Sequence, residues 1–467
     1  MDFPNEILHI IGHYAVSAVV DAQLLDRARI IKAHGTSLSY VQLEFQDVDR
    51  AMRVMDSTLF ASVRMLKLTQ TSSTECLKRL VNLAPNLEEL DLGQCRGLMH
   101  TCHIGFFRKL RSLAMTNCAY FYGFFSNTLR KLTLVECTVD CGTTPMDYGP
   151  LISLEMKGCA ISRLPSLYST LEHLKFHGNW FGPQFVDWSD EMTLENWPNL
   201  KTLDLMSTSS MDNARVAPIG HMKNLESLAL SNCLRITDYS FLEGLDMLKA
   251  LRIEGRFDWT MLKHVQLHSF AVRDFDIQDL HHLESQTELR SLRLDQARLS
   301  ALDPAAVLSN MVSKWPNLHT LDFFYCPTLM TTHGFPVCPG VTCLKLDFCK
   351  LITNEKLQMM MVSFPNLETF SAAFTGITDI GVSHVPYGVK DLQLRGCYIT
   401  EDALPFLTHL RSLTSLDIAH TKIQNLTMLP KSLQTLDVSG CIQSCVDSAL
   451  RLTRKRRVKI TNTFSIY

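Results

Sequence analysis

Apolar residues return along most of the chain in the frame L-x-x-L-x-L-x-x-C, separated by polar ones, as in LEELDLGQC from Leu87 and LRSLAMTNC from Leu110. Further copies start at Leu129, Leu151, Leu225, Val341, Val389 and Leu433, and degenerate ones fill the gaps. The central apolar position recurs 18 times, at Val41, Leu66, Leu90, Leu113, Leu132, Leu154, Leu174, Leu203, Leu228, Leu251, Phe270, Leu292, Leu321, Leu344, Phe370, Leu392, Leu416 and Leu436, with steps of 19 to 29 residues. L-x-L alternates with period two, so each copy predicts a short strand with its leucines inward and the residues between them outward. Ile followed by Thr237-Asp238, Thr353-Asn354, Thr378-Asp379 or Thr400-Glu401-Asp402 opens several of the return segments. Threonine caps the first amides of a helix and an acid suits its positive end, so the returns are expected to be mostly helical. Pro85, Pro198, Pro316 and Pro365, each in Pro-Asn-Leu, stop the return before the next strand.

A period of about 20 to 29 residues carrying this motif is that of the leucine-rich repeat. The expected fold class is therefore α/β: a leucine-rich-repeat solenoid with a curved parallel sheet inside and helices outside. Each unit packs only on its neighbours, so 467 residues need no single large core. The expected organisation is a helical amino-terminal segment over 1–36, about 18 repeats over 37–450, and a basic cap and tail over 451–467. Val458 and Ile460 alternate like one last strand.

Three residues beyond the second strand leucine stands a cysteine in nine units: Cys95, Cys118, Cys137, Cys159, Cys233, Cys326, Cys349, Cys397 and Cys441. Asn179, Thr71, Thr208, Thr375 and Thr421 fill five more of these positions. A small donor suits a point where the backbone turns inward and carbonyls need partners. These are expected to be structural thiols, which requires a reducing compartment.

Composition narrows the classes. The net charge of −2 marks no nucleic-acid or membrane-surface binder as a whole, and no run approaches 18 apolar residues. Asp2 and Glu6 stand where a secretory signal would be positive, so the expected location is cytoplasmic, nuclear or both. Arg451, Arg454, Lys455, Arg456, Arg457 and Lys459 read as a solvated capping turn or as a nuclear-localisation signal.

The combination Cys-x-x-Ile-Thr-Asp with Pro-Asn-Leu resembles the cysteine-containing repeats of F-box leucine-rich-repeat proteins. Ahead of the repeats, Phe3-Pro4-Asn5-Glu6-Ile7-Leu8 with Ile10 and Ile11 resembles the opening of an F-box. That resemblance implies that Phe3, Pro4, Ile7, Leu8 and Ile11 contact a Skp-type adaptor, joining the chain to a cullin complex. It also implies a substrate-recognition subunit of an SCF-type ubiquitin ligase, with an unknown substrate protein on the repeats. The same helices serve equally as a cap over the first repeat's apolar flank, in which case the chain is an adaptor-free interaction scaffold.

Nothing points to catalysis, a cofactor or a metal. There is no phosphate loop, dinucleotide fingerprint or nucleophile elbow. His9 with His13 and His264 with His268 lack the glutamate of H-E-x-x-H, and Cys338 with Cys343 or Cys441 with Cys445 lacks a second pair at zinc spacing. Repeat proteins that activate Ran-type GTPases carry an acidic tail where this chain is basic, which leaves that class a minor alternative.

The outward strand positions supply candidate substrate contacts. His173, Lys175 and His177 share one strand, and Arg252, Arg273, Arg293, Lys345 and Arg395 project from later ones as a basic stripe. Asp204, Glu254, Asp295, Asp322 and Asp347 interrupt it, so a salt-bridged solvent face is the competing reading. Trp180, Phe181, Phe185 and Trp188 in one long return, and Phe324 with Tyr325 at a strand exit, add aromatic candidates. Trp197, Trp315 and Met359-Met360-Met361 are expected in the repeat core.

Overall fold

A computed structural model of the chain describes residues 40–43, 61, 63–69, 74–94, 102–118, 121, 126–140, 150–163, 170–178, 180–181, 197–206, 211–296, 312, 314–326, 335, 337–454 and 458–462. Phe3, Pro4, Ile7, Leu8, Ile11, Cys95, Phe185 and Trp188 lie outside the described residues. The chain divides into two compact units, Met1–Ile236 with Gly244–Met247, and Thr237–Glu243 with Leu248–Tyr467.

In the first unit the strands are β1 (Tyr40–Leu43), β2 (Met65–Thr69), β3 (Glu89–Gly93), β4 (Ser112–Thr116), β5 (Lys131–Val135), β6 (Thr138–Asp140), β7 (Ser153–Lys157), β8 (Ala160–Arg163), β9 (His173–His177), β10 (Trp180–Phe181), β11 (Thr202–Met206) and β12 (Ser227–Ser231). Nine of them pair in parallel, in the order β1-β2-β3-β4-β5-β7-β9-β11-β12. Val41 faces Leu66, Leu66 faces Leu90, and the match runs on through Leu203 to Leu228.

The second unit holds β13 (Ala250–Glu254), β14 (Ser269–Arg273), β15 (Ser291–Asp295), β16 (Thr320–Phe324), β17 (Cys343–Lys345), β18 (Thr369–Ser371), β19 (Asp391–Gln393), β20 (Ser415–Asp417), β21 (Thr435–Asp437) and β22 (Lys459–Thr461), paired in parallel in chain order. Leu251, Phe270, Leu292, Leu321, Leu344, Phe370, Leu392, Leu416 and Leu436 stand in one row, and Ile460 of β22 extends it. Each unit is a leucine-rich-repeat solenoid. A one-residue slip would turn every leucine outward, so burial of the row holds the register.

The returns are less helical than expected, and repeat length explains why. An α-helix rises about 1.5 Å per residue, a 3₁₀ turn about 2.0 Å and extended chain about 3.3 Å, so a shorter repeat must cover its return with straighter chain. The first unit carries α1 (Thr74–Leu83) and α2 (Asn213–Val216), and the second carries α3 (Asn354–Met361), α4 (Asp379–Val382), α5 (Leu404–His409) and α6 (Gln443–Thr453). Ten helical residues of α1 fit the 24-residue step from Leu66 to Leu90. The 19-residue step from Leu251 to Phe270 has only the 3₁₀ turn Trp259–His264, and the 20-residue step after Leu416 has no helix at all. Three returns of the first unit instead pair as a second parallel sheet, β6-β8-β10. The β-favouring residues of β6 and β8, Thr138, Val139 and Ile161, suit that choice.

Between repeats, backbone groups are satisfied by recurring side chains. The Cys118, Cys137, Cys159, Cys233, Cys326, Cys349, Cys397 and Cys441 thiols donate to a carbonyl of the preceding repeat at 3.0–3.8 Å. All eight are buried and unbonded to another cysteine. The Pro-Asn-Leu asparagines do similar work, Asn86 Nδ2 donating to Ala61 O and Asn366 Nδ2 to Pro339 O. Acids after the Ile-Thr pair act across repeats too: Asp379 accepts from the Thr400 N–H and hydroxyl, and Glu401 from the Gln424 and Asn425 N–H groups. Trp197 and Trp315 are core residues, as expected, while of the three methionines only Met360 and Met361 are buried.

Candidate binding surface on the strand faces

Residues between the inward leucines form the outward face of each sheet, and most candidate contacts fall there. On β9, His173 Nδ1 lies 2.9 Å from Thr202 Oγ1, and His177 Nε2 lies 3.0 Å from Asp204 Oδ2. Lys175 is exposed between Glu155 and Asp204 in the register. Trp180 opens β10, which pairs with β8, and its side chain is outside the described residues.

In the second unit Arg273, Arg293 and Arg395 are held by carboxylates rather than projecting. Arg293 Nε lies 3.3 Å from Asp295 and its Nη1 3.1 Å from Asp322, while Arg395 reaches Asp417 at 3.0 Å and Asp437 at 2.7 Å. Each of these two guanidinium groups is thus matched by two carboxylates. Arg273 pairs with Glu254, Lys345 stands opposite Asp322 in the register, and Arg252 is exposed beside Ala271. Burial pushes the carboxyls of Asp322 and Asp417 above their ordinary range, with the neighbouring cations pulling the other way.

A second feature lies at the strand exits. Four residues after each central apolar position the backbone turns left-handed, with positive φ at all fifteen such positions among the described residues. The turn aims that residue's N–H at the next repeat, as Gln94 N does at Thr116 O and Gly396 N at Ala419 O. Gly, Asn or Asp occupies eight of the fifteen positions, which suits their tolerance of this region. Of the other seven, Gln94, Glu136 and Gln296 are unbranched and polar, and Tyr325, Phe348, Phe374 and His420 carry rings, all with φ between 51° and 61°. Bulky residues are rarely held there, and such a conformation costs about 1–3 kcal/mol.

These rings are joined into a rim. Phe324 packs on Phe348 with centroids 5.1 Å apart, and Phe348 stacks on Phe374 at 4.7 Å with planes 17° apart. Phe374 lies over Gly396, where a Cβ would come within 2.4 Å of its ring, and His420 lies over Gly440 in the same way. Arg293 sits 5.1 Å from the Phe324 centroid. Tyr325, 45% exposed, flanks the rim. Phe324 and Tyr325 were legible as a strand-exit pair. Phe348, Phe374 and His420 follow only when the residue four after the central apolar position is read as its own column.

Among the described residues no group of three or more His, Cys, Asp or Glu is placed to hold a metal ion, and no helix is long and apolar enough to cross a membrane. Of His264 and His268, His264 Nε2 lies 3.3 Å from Glu243 Oε1.

No family model matches the chain. Over 199 residues, 41% of this chain, it is 27% identical to the disease resistance protein RML1A of Arabidopsis thaliana, and the match spans 16% of that protein's length. Among solved structures, the TLR13–ssRNA13 complex aligns over 85% of this chain and 68% of its own at 14% identity, with a TM-score of 0.49. A leucine-rich-repeat protein of Leptospira interrogans aligns over 99% of this chain and 100% of its own at 15% identity, with a TM-score of 0.33.

Proposed function

We propose that the chain is a protein-recognition subunit whose repeats bind a substrate protein while its amino-terminal segment docks a Skp-type adaptor of a cullin-based ubiquitin ligase. The observation that carries the binding role is the aromatic rim of Phe324, Phe348 and Phe374 beside the ion-paired strand face, with ring-bearing residues at a left-handed turn where other repeats hold Gly, Asn, Asp, Gln or Glu. The ligase role is supported by the F-box-like run Phe3-Pro4-Asn5-Glu6-Ile7-Leu8. In this reading residues 1–36 are the docking segment, 37–450 the recognition array and 451–467 its basic terminus.

The chain supplies no reacting group. Its contribution is proximity: substrate held beside an activated ubiquitin carrier meets it at a high effective concentration. His173, Lys175, His177, Trp180, Arg252, Arg273, Arg293, Phe324, Lys345 and Arg395 remain the proposed substrate contacts. The test is capture of purified Skp adaptor by the intact chain and by a variant with Phe3, Pro4 and Ile7 changed to Ala. Retention by the first and loss by the second is expected. Failure of the intact chain to retain adaptor overturns the ligase role and leaves an adaptor-free scaffold.

A further inference from the structure

The returns of the first unit hold a site of their own, apart from the strand faces. We propose that the cleft between α1 and the 3₁₀ turn Cys102–Phe106 takes an acidic segment of a partner protein, with an apolar side chain of that segment set against Phe106 and its carboxylates drawn to Arg108 and Lys78.

Packing gives the first reason. Leu77, Leu80 and Ala84, spaced three and four apart, turn one flank of α1 inward and are buried, which leaves Lys78, Val81 and Pro85 along the side nearest the following return. That return carries a five-residue 3₁₀ turn in place of a helix, and it buries Ile104 and Phe107. A ten-residue α-helix beside so short a turn leaves a step, and a cleft of about 590 Å³ opens along it, within the roughly 300–1,000 Å³ of ligand sites. Residues three apart eclipse in a 3₁₀ turn, so His103 stacks on Phe106, with centroids 6.0 Å apart and planes at 27°. The stack holds the Phe106 ring at the cleft while 63% of the residue remains exposed.

Charge gives the second reason. Residues 74–83 and 102–109 carry Lys78, Arg79, Arg108 and Lys109 against the single acid Glu75. Among the described residues no ion pair holds Arg79, Arg108 or Lys109, and Lys109 Nζ donates to the neutral Asn86 Oδ1 at 2.7 Å. Of the carboxylates that follow α1 in the chain, Glu88 and Asp91 are paired with Arg64 and Lys67, at 3.9 and 3.1 Å. Cations around an exposed ring attract carboxylate and repel a second cation. A polyanion such as RNA needs a long run of phosphate contacts, and a chain of net charge −2 with these cations on two short elements offers it little field.

The experiment depletes a random dodecapeptide library on the immobilised variant Phe106→Ser with Arg108→Glu, pans the remainder on the immobilised full chain, and measures recovered peptides by fluorescence anisotropy. They should be enriched in Asp and Glu beside a Leu, Met or aromatic residue, and their Asp→Asn and Glu→Gln versions should bind about tenfold more weakly to the unaltered chain. Affinity should fall severalfold between about 50 and about 300 mM NaCl. Phe106→Ala alone should weaken binding about tenfold and Arg108→Lys by less, both with an unchanged urea midpoint because both residues are exposed. Selections without acidic enrichment, no peptide recovered, equal binding to the parent and to Phe106→Ala, or an oligouridylate that binds more tightly and displaces the peptides would each overturn the proposal. The strand-face contacts and the ligase role stand apart from these outcomes, and adaptor capture by the same preparation reports on the latter.

Discussion

Gln286 offers a clean test of how the second unit is held together. Its side chain is fully buried and spans two repeats: Oε1 accepts from Leu267 N at 2.9 Å, and Nε2 donates to Leu262 O at 2.8 Å and Val265 O at 3.0 Å. Gln286→Met keeps the volume and removes all three bonds. Leu262 O retains a bond from Val265 N at 3.3 Å, so two buried groups, the Leu267 N–H and the Val265 carbonyl, lose this partner. Each orphaned buried group costs about 1–3 kcal/mol, and the apolar side chain offsets part of it, which leaves a loss of about 2–4 kcal/mol. Urea unfolding followed by tryptophan fluorescence, with Trp259 and Trp315 in the same unit, reads the loss. Hydrogen exchange of the Leu267 amide localises it. A variant within about 0.5 kcal/mol of the parent, with that amide equally protected, would refute the staple.

Three further outcomes follow from the same geometry. Burial raises the Asp417 carboxyl, so between its unfolded and folded pKa the native state binds the extra proton and stability falls as pH rises; Asp417→Asn should therefore gain on the parent as pH rises above the ordinary 3.8, and a relative loss would contradict the assignment. Burial pushes the Cys349 thiol up to about 12, so iodoacetamide at pH 8 should leave it unmodified in the native chain and label it after urea; equal labelling in both states would show the thiol ladder to be open. Gly396→Ala places a Cβ within 2.4 Å of the Phe374 ring at φ +66° and should cost more than about 1 kcal/mol by thermal unfolding, whereas an unchanged midpoint would mean that the ring does not lie there.

Register was the most legible property of this chain. All 18 central apolar residues pair in rows because alternation within L-x-L and burial of both leucines leave one frame open. The cysteine column was legible for a related reason, since one donor at one turn serves one carbonyl. The returns were harder to read, because Thr followed by Asp or Asn looks like a helix start whether eleven residues or fourteen remain to reach the next strand. Asp379 and Glu401 show the consequence: both satisfy N–H groups of the following repeat, a role that a helix-dipole reading of the acid does not contain.

The strand face shows why a surface is read less well than a core. A leucine at a strand centre has one place to go, whereas the effect of an arginine depends on its neighbours across the sheet. Arg293 and Arg395 stood out in sequence as parts of a basic stripe, yet their partners Asp322, Asp417 and Asp437 are 29, 22 and 42 residues away and become neighbours only through the pairing of strands. Once those pairs form, a face that reads as positive residue by residue carries excess carboxylate. The left-handed turn column behaves in the same way. Its Gly, Asn and Asp members are explained by backbone geometry alone, whereas Gln94, Glu136, Gln296, Tyr325, Phe348, Phe374 and His420 hold the same turn without that explanation, and among them Phe348 and Phe374 stack on each other across the repeat boundary.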